Sequence, residues 1–396
     1  MKRIAILVTQ LELAGAQKVA FTQARYFHRH GYETTLCFFY DKYNLLTTVQ
    51  QQEPFEIVSL EAKVAGKSAL TNILYTIRAL WRLYWLLRNK RIQILETLTH
   101  YSNILGILVG WLAGVPIRIS SQRNTLIGFP KWFLWLDATL VNSKLVDLMI
   151  SVSEETRRFC IENEGMFPEK ITTILNGINL TEYENTTEKK NAALQIRSAL
   201  NIPQNSPVIL TVGRLHPQKG HPYLIESAPQ ILAKFPDSIF VFAGEGDERQ
   251  SIENHILRLG LPDHFRLLGV REDVPVLLQM ADLFVLPSIF EGLPNVVLEA
   301  MASHRAVVAT KVDGTQEVVV EQDTGLLVPK ADPDTLAQAI IFLLQNTAQR
   351  EQMGLNGYLR VREHFSEELM CQNYEKTILS LLQKKSIHER EPVSNN

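Results

Sequence analysis

Short apolar runs alternate along this chain with longer segments whose apolar positions recur at helical spacing, a pattern that predicts strands and helices in alternation. Residues 4–8 are apolar throughout and predict a buried strand. Residues 17–30 have helical periodicity and stop at Gly31, and residues 33–40 predict the next strand. Two strands joined by a helix imply a crossover, and therefore a parallel sheet covered by helices. The same reading predicts further strands at 57–60, 92–96, 117–120, 138–141 and 171–175. A turn at Asn176-Gly-Ile-Asn and a charge-rich stretch, 181–190, then break the pattern as a linker would. Alternation resumes with strands at 208–212, 239–243, 266–268, 283–286, 306–310 and 325–328, a second parallel sheet. Two doubly wound α/β domains are expected: an N-terminal one over 1–178, a linker over 179–206, a C-terminal one over 207–365, a last amphipathic helix over 366–385 and a polar, disordered tail over 386–396.

Composition agrees with this and narrows the partners. With 396 residues, 46% hydrophobic and 21% charged, the chain can bury two cores, which excludes disordered and fibrous classes. A net charge of -2 gives no general attraction to nucleic acid, but residues 1–200 carry 23 Lys+Arg against 17 Asp+Glu and residues 201–396 carry 17 against 25, so the halves are +6 and -8. All five tryptophans, Trp81, Trp85, Trp111, Trp132 and Trp135, lie in the basic half. Cys37, Cys160 and Cys371 are scattered and odd in number, which predicts neither a disulfide framework nor a zinc site. The first apolar run is too short for a signal peptide and residues 104–115 are too few to span a bilayer, so a cytoplasmic protein is expected.

Two constellations carry candidate chemistry. The first is Glu291-Gly-Leu-Pro-Asn-Val-Val-Leu-Glu299, in which Glu291 reads as a loop residue after a strand and Glu299 as a second-turn helix residue in the narrow stripe Asn295, Glu299, Ser303. A carboxylate in the one polar stripe of an otherwise apolar helix suggests a cleft wall. The second runs from Gly213-Arg214 to Lys219-Gly220. A strand ending in glycine, a loop with two cations and a helix start with Pro222 near its first turn make an anion site, since loop charge and helix dipole add. A diphosphate suits it: arginine grips phosphate oxygens in pairs, and lysine supplies a point charge.

Both spellings resemble family 4 of the glycosyltransferases with the GT-B fold, in which two Rossmann-like domains face each other across a cleft. The resemblance implies that Glu291 contacts a donor sugar, Glu299 the nucleotide ribose, and Arg214 and Lys219 the diphosphate of a UDP-sugar or GDP-sugar. It adds Gly213, Gly292, Leu293 and Asn295 to the donor-binding set, and Gly244, Leu268 and Val270 to the pocket for the base. Gly15, in Leu13-Ala14-Gly15-Ala16-Gln17, resembles the family's glycine-rich loop, with Ala14 and Gln17 departing from it. Arg123 stands where many members have a histidine and, unlike histidine, cannot act as a base near neutrality. His100, at a strand's carboxyl end, is a second candidate on the acceptor side. The family further implies retention at the sugar, hexosyl or N-acetylhexosaminyl transfer, no metal, and a lipid-linked or polysaccharide acceptor, as well as a final helix that packs on the first domain. A nucleotide-sugar epimerase of the same fold and a non-catalytic nucleotide-sugar binder are the rival readings.

Three smaller expectations remain. His304-Arg-Ala306 replaces the family's Gly-x-Pro and should alter only a turn. Asp332-Pro-Asp334 spells a metal motif of another fold, but it precedes a helix at 335–344 and reads as a cap. In the helix at 73–88, Ile73, Ile77, Leu80, Leu83 and Leu87 should form the buried face, leaving Trp81 and Trp85 beside Arg78, Arg82 and Arg88. That pairing suits either rings that cover a neighbouring loop or a lipid headgroup interface, with peripheral contact at the inner face of a membrane.

Overall fold

The computed structural model describes residues 1–12, 15–41, 44–63, 69–123, 130–312 and 314–388; Leu13, Ala14, Asp313 and residues 389–396 of the tail expected over 386–396 lie outside them. The chain divides into two compact units, residues 1–177 with 367–396, and residues 178–366. The first holds strands β1 (Arg3–Leu11), β2 (Glu33–Asp41), β3 (Glu56–Ser59), β4 (Ile94–Thr97), β5 (Ile117–Gln122), β6 (Leu148–Ser151) and β7 (Ile171–Thr173). Its helices are α1 (Gly15–Arg29), α2 (Leu46–Gln52), α3 (Ala69–Asn89), α4 (His100–Leu112), α5 (Lys131–Asn142) and α6 (Glu154–Glu164). The second unit begins with helices α7 (Leu180–Tyr183) and α8 (Thr187–Ala199), followed by β8 (Val208–Val212), α9 (His221–Leu232), β9 (Ile239–Ala243), α10 (Arg249–Arg258) and β10 (Phe265–Leu267). It continues with α11 (Val274–Met280), β11 (Leu283–Leu286), α12 (Asn295–Ala302), β12 (Val307–Thr310), α13 (Thr315–Val318), β13 (Gly325–Val328), α14 (Pro333–Gln345) and α15 (Thr347–His364). A last helix, α16 (Glu367–His388), returns to the first unit, where it packs on α1 and β5.

Both sheets are parallel and doubly wound. Their orders are β3-β2-β1-β4-β5-β6-β7 and β10-β9-β8-β11-β12-β13. Parallel strands are covered on both faces and therefore apolar on both, which is why β1 sends Ile4, Ile6 and Val8 into one core and Ala5 and Leu7 into another. In each order the winding reverses once, between β1 and β4 and between β8 and β11. Loops diverge above such a reversal and leave a crevice at the strands' carboxyl ends.

The structure changes four readings in detail. Residues 138–141 belong to helix α5, and the strand is β6. Helix α5 buries Phe133, Ala138, Leu140 and Val141 yet exposes Trp132, Trp135 and Leu136, so its apolar outer face hides the helical period. Within the expected linker, residues 181–183 are in α7 and 187–190 in α8, and α8 lies against α11. The buried face of α3 is Ala79, Leu83 and Leu87, with Leu80 half-buried; Ile73 and Ile77 are exposed on the side that carries Trp81 and Trp85. Ser386, expected in the tail, is still helical.

The core of the first unit contains a polar cluster. Glu96 on β4 is fully buried, neither of its carboxylate oxygens has a hydrogen-bond partner among the described residues, and Tyr374 of α16 is buried near it. Burial pushes its carboxyl up to about 7, the Arg123 guanidinium and Gln23 amide offsetting this only in part. A carboxyl raised on folding keeps its proton in the native state after the unfolded chain has lost it. Stability should therefore fall as pH rises from about 4.5 to about 7, and the full loss should persist above. Asp137 and Glu164, raised to about 6 and about 7, add to the same slope, so Glu96→Gln should remove only the share due to Glu96 and leave the protein more stable than wild type at pH 8 by about 3 kcal/mol, while matching it near pH 4.5. Urea denaturation of both proteins at the two pH values measures this; parallel curves would mean that Glu96 is ionised in the fold.

Candidate functional site

In the second unit the loops after β8 and β11 meet across the reversal of winding. After β8 the chain makes a 3-10 turn, Pro217–Lys219, where His216 accepts from the Gln218 amide, and Gly220 then opens α9. Gly220 is left-handed, with φ of 63°, and a Cβ there would lie 2.0 Å from the carbonyl oxygen of Pro287, so backbone touches backbone. Further hydrogen bonds lace the two loops: the Ile289 amide donates to the Gln218 carbonyl at 2.8 Å, and Gln218 Nε2 donates to the Phe290 carbonyl at 3.0 Å.

This lacing places Lys219 on Glu291. Lys219 Nζ donates to Glu291 Oε1 at 2.5 Å, and Ser288 Oγ donates to the same oxygen at 2.6 Å. Glu291 is 5% exposed, while Arg214 is exposed and has no ion pair among the described residues. The amino end of α9 lies beside them with its partial positive charge. His221, in its first turn, is held down to about 4 by burial and by Lys219, so it is neutral at pH 7. Two cations and a helix amino end, with one cation unpaired, can take an anion carrying more than one charge.

Helix α12 follows from Pro294. It buries Val297, Leu298, Ala300 and Met301, and it holds Glu299 at 6% exposure. Tyr183 of α7, 2% exposed, hydrogen-bonds Glu299, and burial together with that carboxylate raises its phenol well above the ordinary value. Asn295 is partly exposed, Gly292 and Leu293 are buried, and a Cβ on Gly314 would strike the Gly292 carbonyl at 1.9 Å. Ser288, Gln218 and Tyr183 escape the sequence reading. A lone aromatic in the charge-rich stretch was the available signal for Tyr183; Ser288 and Gln218 are ordinary loop residues there.

Above β9, Gly244 lies on the first loop, where a Cβ would come 1.8 Å from the Gly213 carbonyl. It bridges Gly269, and the Leu268 amide donates to Phe242 at 2.9 Å, while Val270 is 72% exposed. Arg249, which opens α10, pairs with Glu245 and Glu253. His304 adopts φ of 58° and stacks on Tyr358 at 4.2 Å, so the turn keeps a glycine-like conformation without glycine. Asp332 caps α14, its Oδ1 accepting from the Thr335 amide at 3.0 Å. Among the described residues no group of three His, Cys, Asp or Glu is placed to hold a metal.

In the first unit, Gly15, His100 and Arg123 follow β1, β4 and β5, which are neighbours at that sheet's own reversal. Gly15 is exposed and opens α1. His100 opens α4 after the Thr99 cap, and burial lowers its imidazole to about 4. Arg123 Nη1 donates to Asn176 at 2.6 Å, while its Nε and Nη2 are buried without a partner among the described residues.

Comparison with known proteins fits this arrangement. A model of Glycosyltransferase Family 4 matches residues 13–182, and one of Glycosyl transferases group 1 matches 193–360. A UDP-Gal:alpha-D-GlcNAc-diphosphoundecaprenol alpha-1,3-galactosyltransferase of Escherichia coli is 29% identical over 68% of this chain and 71% of its own length. The capsular polysaccharide biosynthesis glycosyltransferase CapM of Staphylococcus aureus is 26% identical over 78% of this chain and 82% of its own. An alpha-D-kanosaminyltransferase of Streptomyces kanamyceticus is 35% identical, but over 43% of this chain and 44% of its own. Among solved structures, Anabaena HepE in complex with UDP-glucose superposes with a TM-score of 0.85 at 21% identity, over 96% of this chain and all of that one, a likeness of fold.

Proposed function

The chain belongs to the GT-B glycosyltransferases, family 4 in its first half and group 1 in its second, and from this we propose that it moves a sugar from a nucleoside diphosphate sugar to a hydroxyl of a lipid-linked or polysaccharide acceptor, with retention and without a metal. The observation that carries the reading is the contact of Lys219 with Glu291 beside the amino end of α9. Arg214 and Lys219 hold the diphosphate, and Lys219 neutralises the charge that grows on it as the bond from phosphate oxygen to anomeric carbon breaks. Glu291, with Gly292, Leu293 and Asn295, orients the sugar. Glu299, positioned by Tyr183, takes the ribose, and the turns at Gly213, Gly244, Leu268 and Val270 take the base.

The acceptor oxygen attacks the anomeric carbon on the face the diphosphate leaves, and its proton passes to the departing phosphate oxygen. Gly15 approaches the donor through its backbone, and Arg123 and His100 stand on the acceptor side, His100 as a neutral imidazole. A UDP-sugar is the favoured donor, since HepE was solved with UDP-glucose and the Escherichia coli relative is named for UDP-galactose. That relative is also named for a lipid-linked acceptor, which supports membrane contact through residues 73–88.

Thermal unfolding with UDP, GDP, ADP or phosphate tests the donor site. UDP at 100 times its dissociation constant should add about 2.7 kcal/mol to stability, and ADP much less. A shift with GDP instead would reassign the base, and no shift with any nucleotide would overturn the reading.

A further inference from the structure

All five tryptophans of the chain are exposed, at 66% for Trp81, 42% for Trp85, 52% for Trp111, 65% for Trp132 and 67% for Trp135. Tryptophan is highly buried on average, so an exposed set marks a surface that meets something other than water. The five are not scattered over the fold. They lie on α3, α4 and α5, three helices on one face of the first sheet. Helices α3 and α4 share a core through Leu83, Leu87, Val109 and Ala113, and α4 and α5 share the next through Ile107, Ala138 and Val141. On their outer side Ile73, Leu74, Ile77, Leu108, Leu112 and Leu136 are exposed beside the indoles.

The charge of this layer is one-sided. From residue 62 to 136 the chain has ten Lys and Arg and a single acid, Glu96, which is fully buried on the sheet; Arg118 is buried as well, and Arg82 and Lys90 are paired with Glu61 and Glu56. Arg78, Arg88, Arg91 and Lys131 are exposed and have no ion pair among the described residues. No described helix is long and apolar enough to cross a membrane, so this is a surface to lie on a bilayer rather than a segment to pass through one. Indoles sit at the headgroup level, aliphatic side chains enter the acyl boundary, and cations meet lipid phosphates.

We propose that α3, α4 and α5 together form a docking face that seats the first unit on an anionic bilayer. The occupant follows from charge: a tryptophan-rich layer that keeps Arg78, Arg88, Arg91 and Lys131 exposed and free of ion pairs among the described residues complements an anionic membrane, whereas a second copy would bring the same positive face against it. The face is broader than the single helix at 73–88, and it rests on the proposed function only for its purpose, which is to bring an acceptor carried by lipid to the enzyme.

The tryptophans are all on the face, so intrinsic fluorescence of the full chain reports it alone. Vesicles of phosphatidylcholine mixed with phosphatidylglycerol should shift the emission to the blue and should bind at least about tenfold more tightly than phosphatidylcholine alone, the difference shrinking as salt is raised. The double variant Trp111→Ser, Trp135→Ser, altered only at exposed positions, should bind the mixed vesicles about tenfold more weakly at an unchanged thermal midpoint. Absence of binding, or equal binding to both vesicles, overturns the proposal. So does a dimer in solution that the double variant dissolves, since its partner would then be a second copy. UDP stabilisation read on the same sample keeps the two readings apart: lost vesicle binding with intact UDP binding strikes the docking face alone, and the converse strikes the donor site.

Discussion

Lys219→Ala is expected to lower the rate of sugar transfer by about 10²- to 10³-fold, with a much smaller change in the concentration of donor needed for half-maximal rate. The lysine is one of two cations at the amino end of α9, and Arg214 remains to bind the ground-state diphosphate. What the variant lacks is the charge that meets the leaving phosphate as negative charge develops on it, an interaction made chiefly in the transition state. The substitution also removes the 2.5 Å partner of Glu291, a carboxylate 5% exposed that then keeps Ser288. A fall in rate through collapse of Glu291 is separated from a fall through lost charge by UDP stabilisation, which should be weakened by the lost cation but not abolished if the loops hold. Single-turnover measurement of the transfer step is the direct check; an unchanged rate would remove Lys219 from the proposed role.

Gly220→Ala should destabilise the second unit by about 2–5 kcal/mol, which combines a strained left-handed backbone with overpacking. At φ of 63° alanine is disfavoured on its own account, and its Cβ would fall 2.0 Å from the Pro287 carbonyl oxygen, which can retreat only by moving the loop that carries Ser288 and Glu291. UDP stabilisation should weaken with it. Gly31→Ala provides the comparison: φ is 79° and nothing lies within 4 Å of its added Cβ, so it should lose only the conformational part, about 1 kcal/mol. Chemical denaturation of the two variants reads the difference. Equal losses would mean that the loops after β8 and β11 are looser than the contact indicates.

Much of the architecture was legible in the residues. The apolar runs that became β1, β2, β8, β9 and β11 are buried on both faces, so burial overrides every competing preference and the run itself is the strand. Arg214, Lys219, Glu291 and Glu299 stood out because charged residues beside glycine or within an apolar helix have few structural uses. Failures came where a surface is apolar. In α5 and α3 the outer side carries tryptophan, leucine and isoleucine, so the periodic contrast between inside and outside is lost: residues 138–141 mimic a strand inside α5, and Ile73 and Ile77 join Leu83 and Leu87 in the expected core face of α3 although they are exposed. The same property that defeated the pattern is the one that marks the docking face.

What the chain order does not carry is adjacency. Lys219 and Glu291 touch because β8 and β11 are neighbours at the reversal of winding, and Tyr183 reaches Glu299 because α7 packs on α12. Local spacing fixes which residues share a face or open a helix, since those depend on backbone periods of two and 3.6 residues. Which loops meet, and so which cation stands on which carboxylate, depends on strand order and on backbones close enough that Gly220 has no room for a methyl group; only the packed fold decides that.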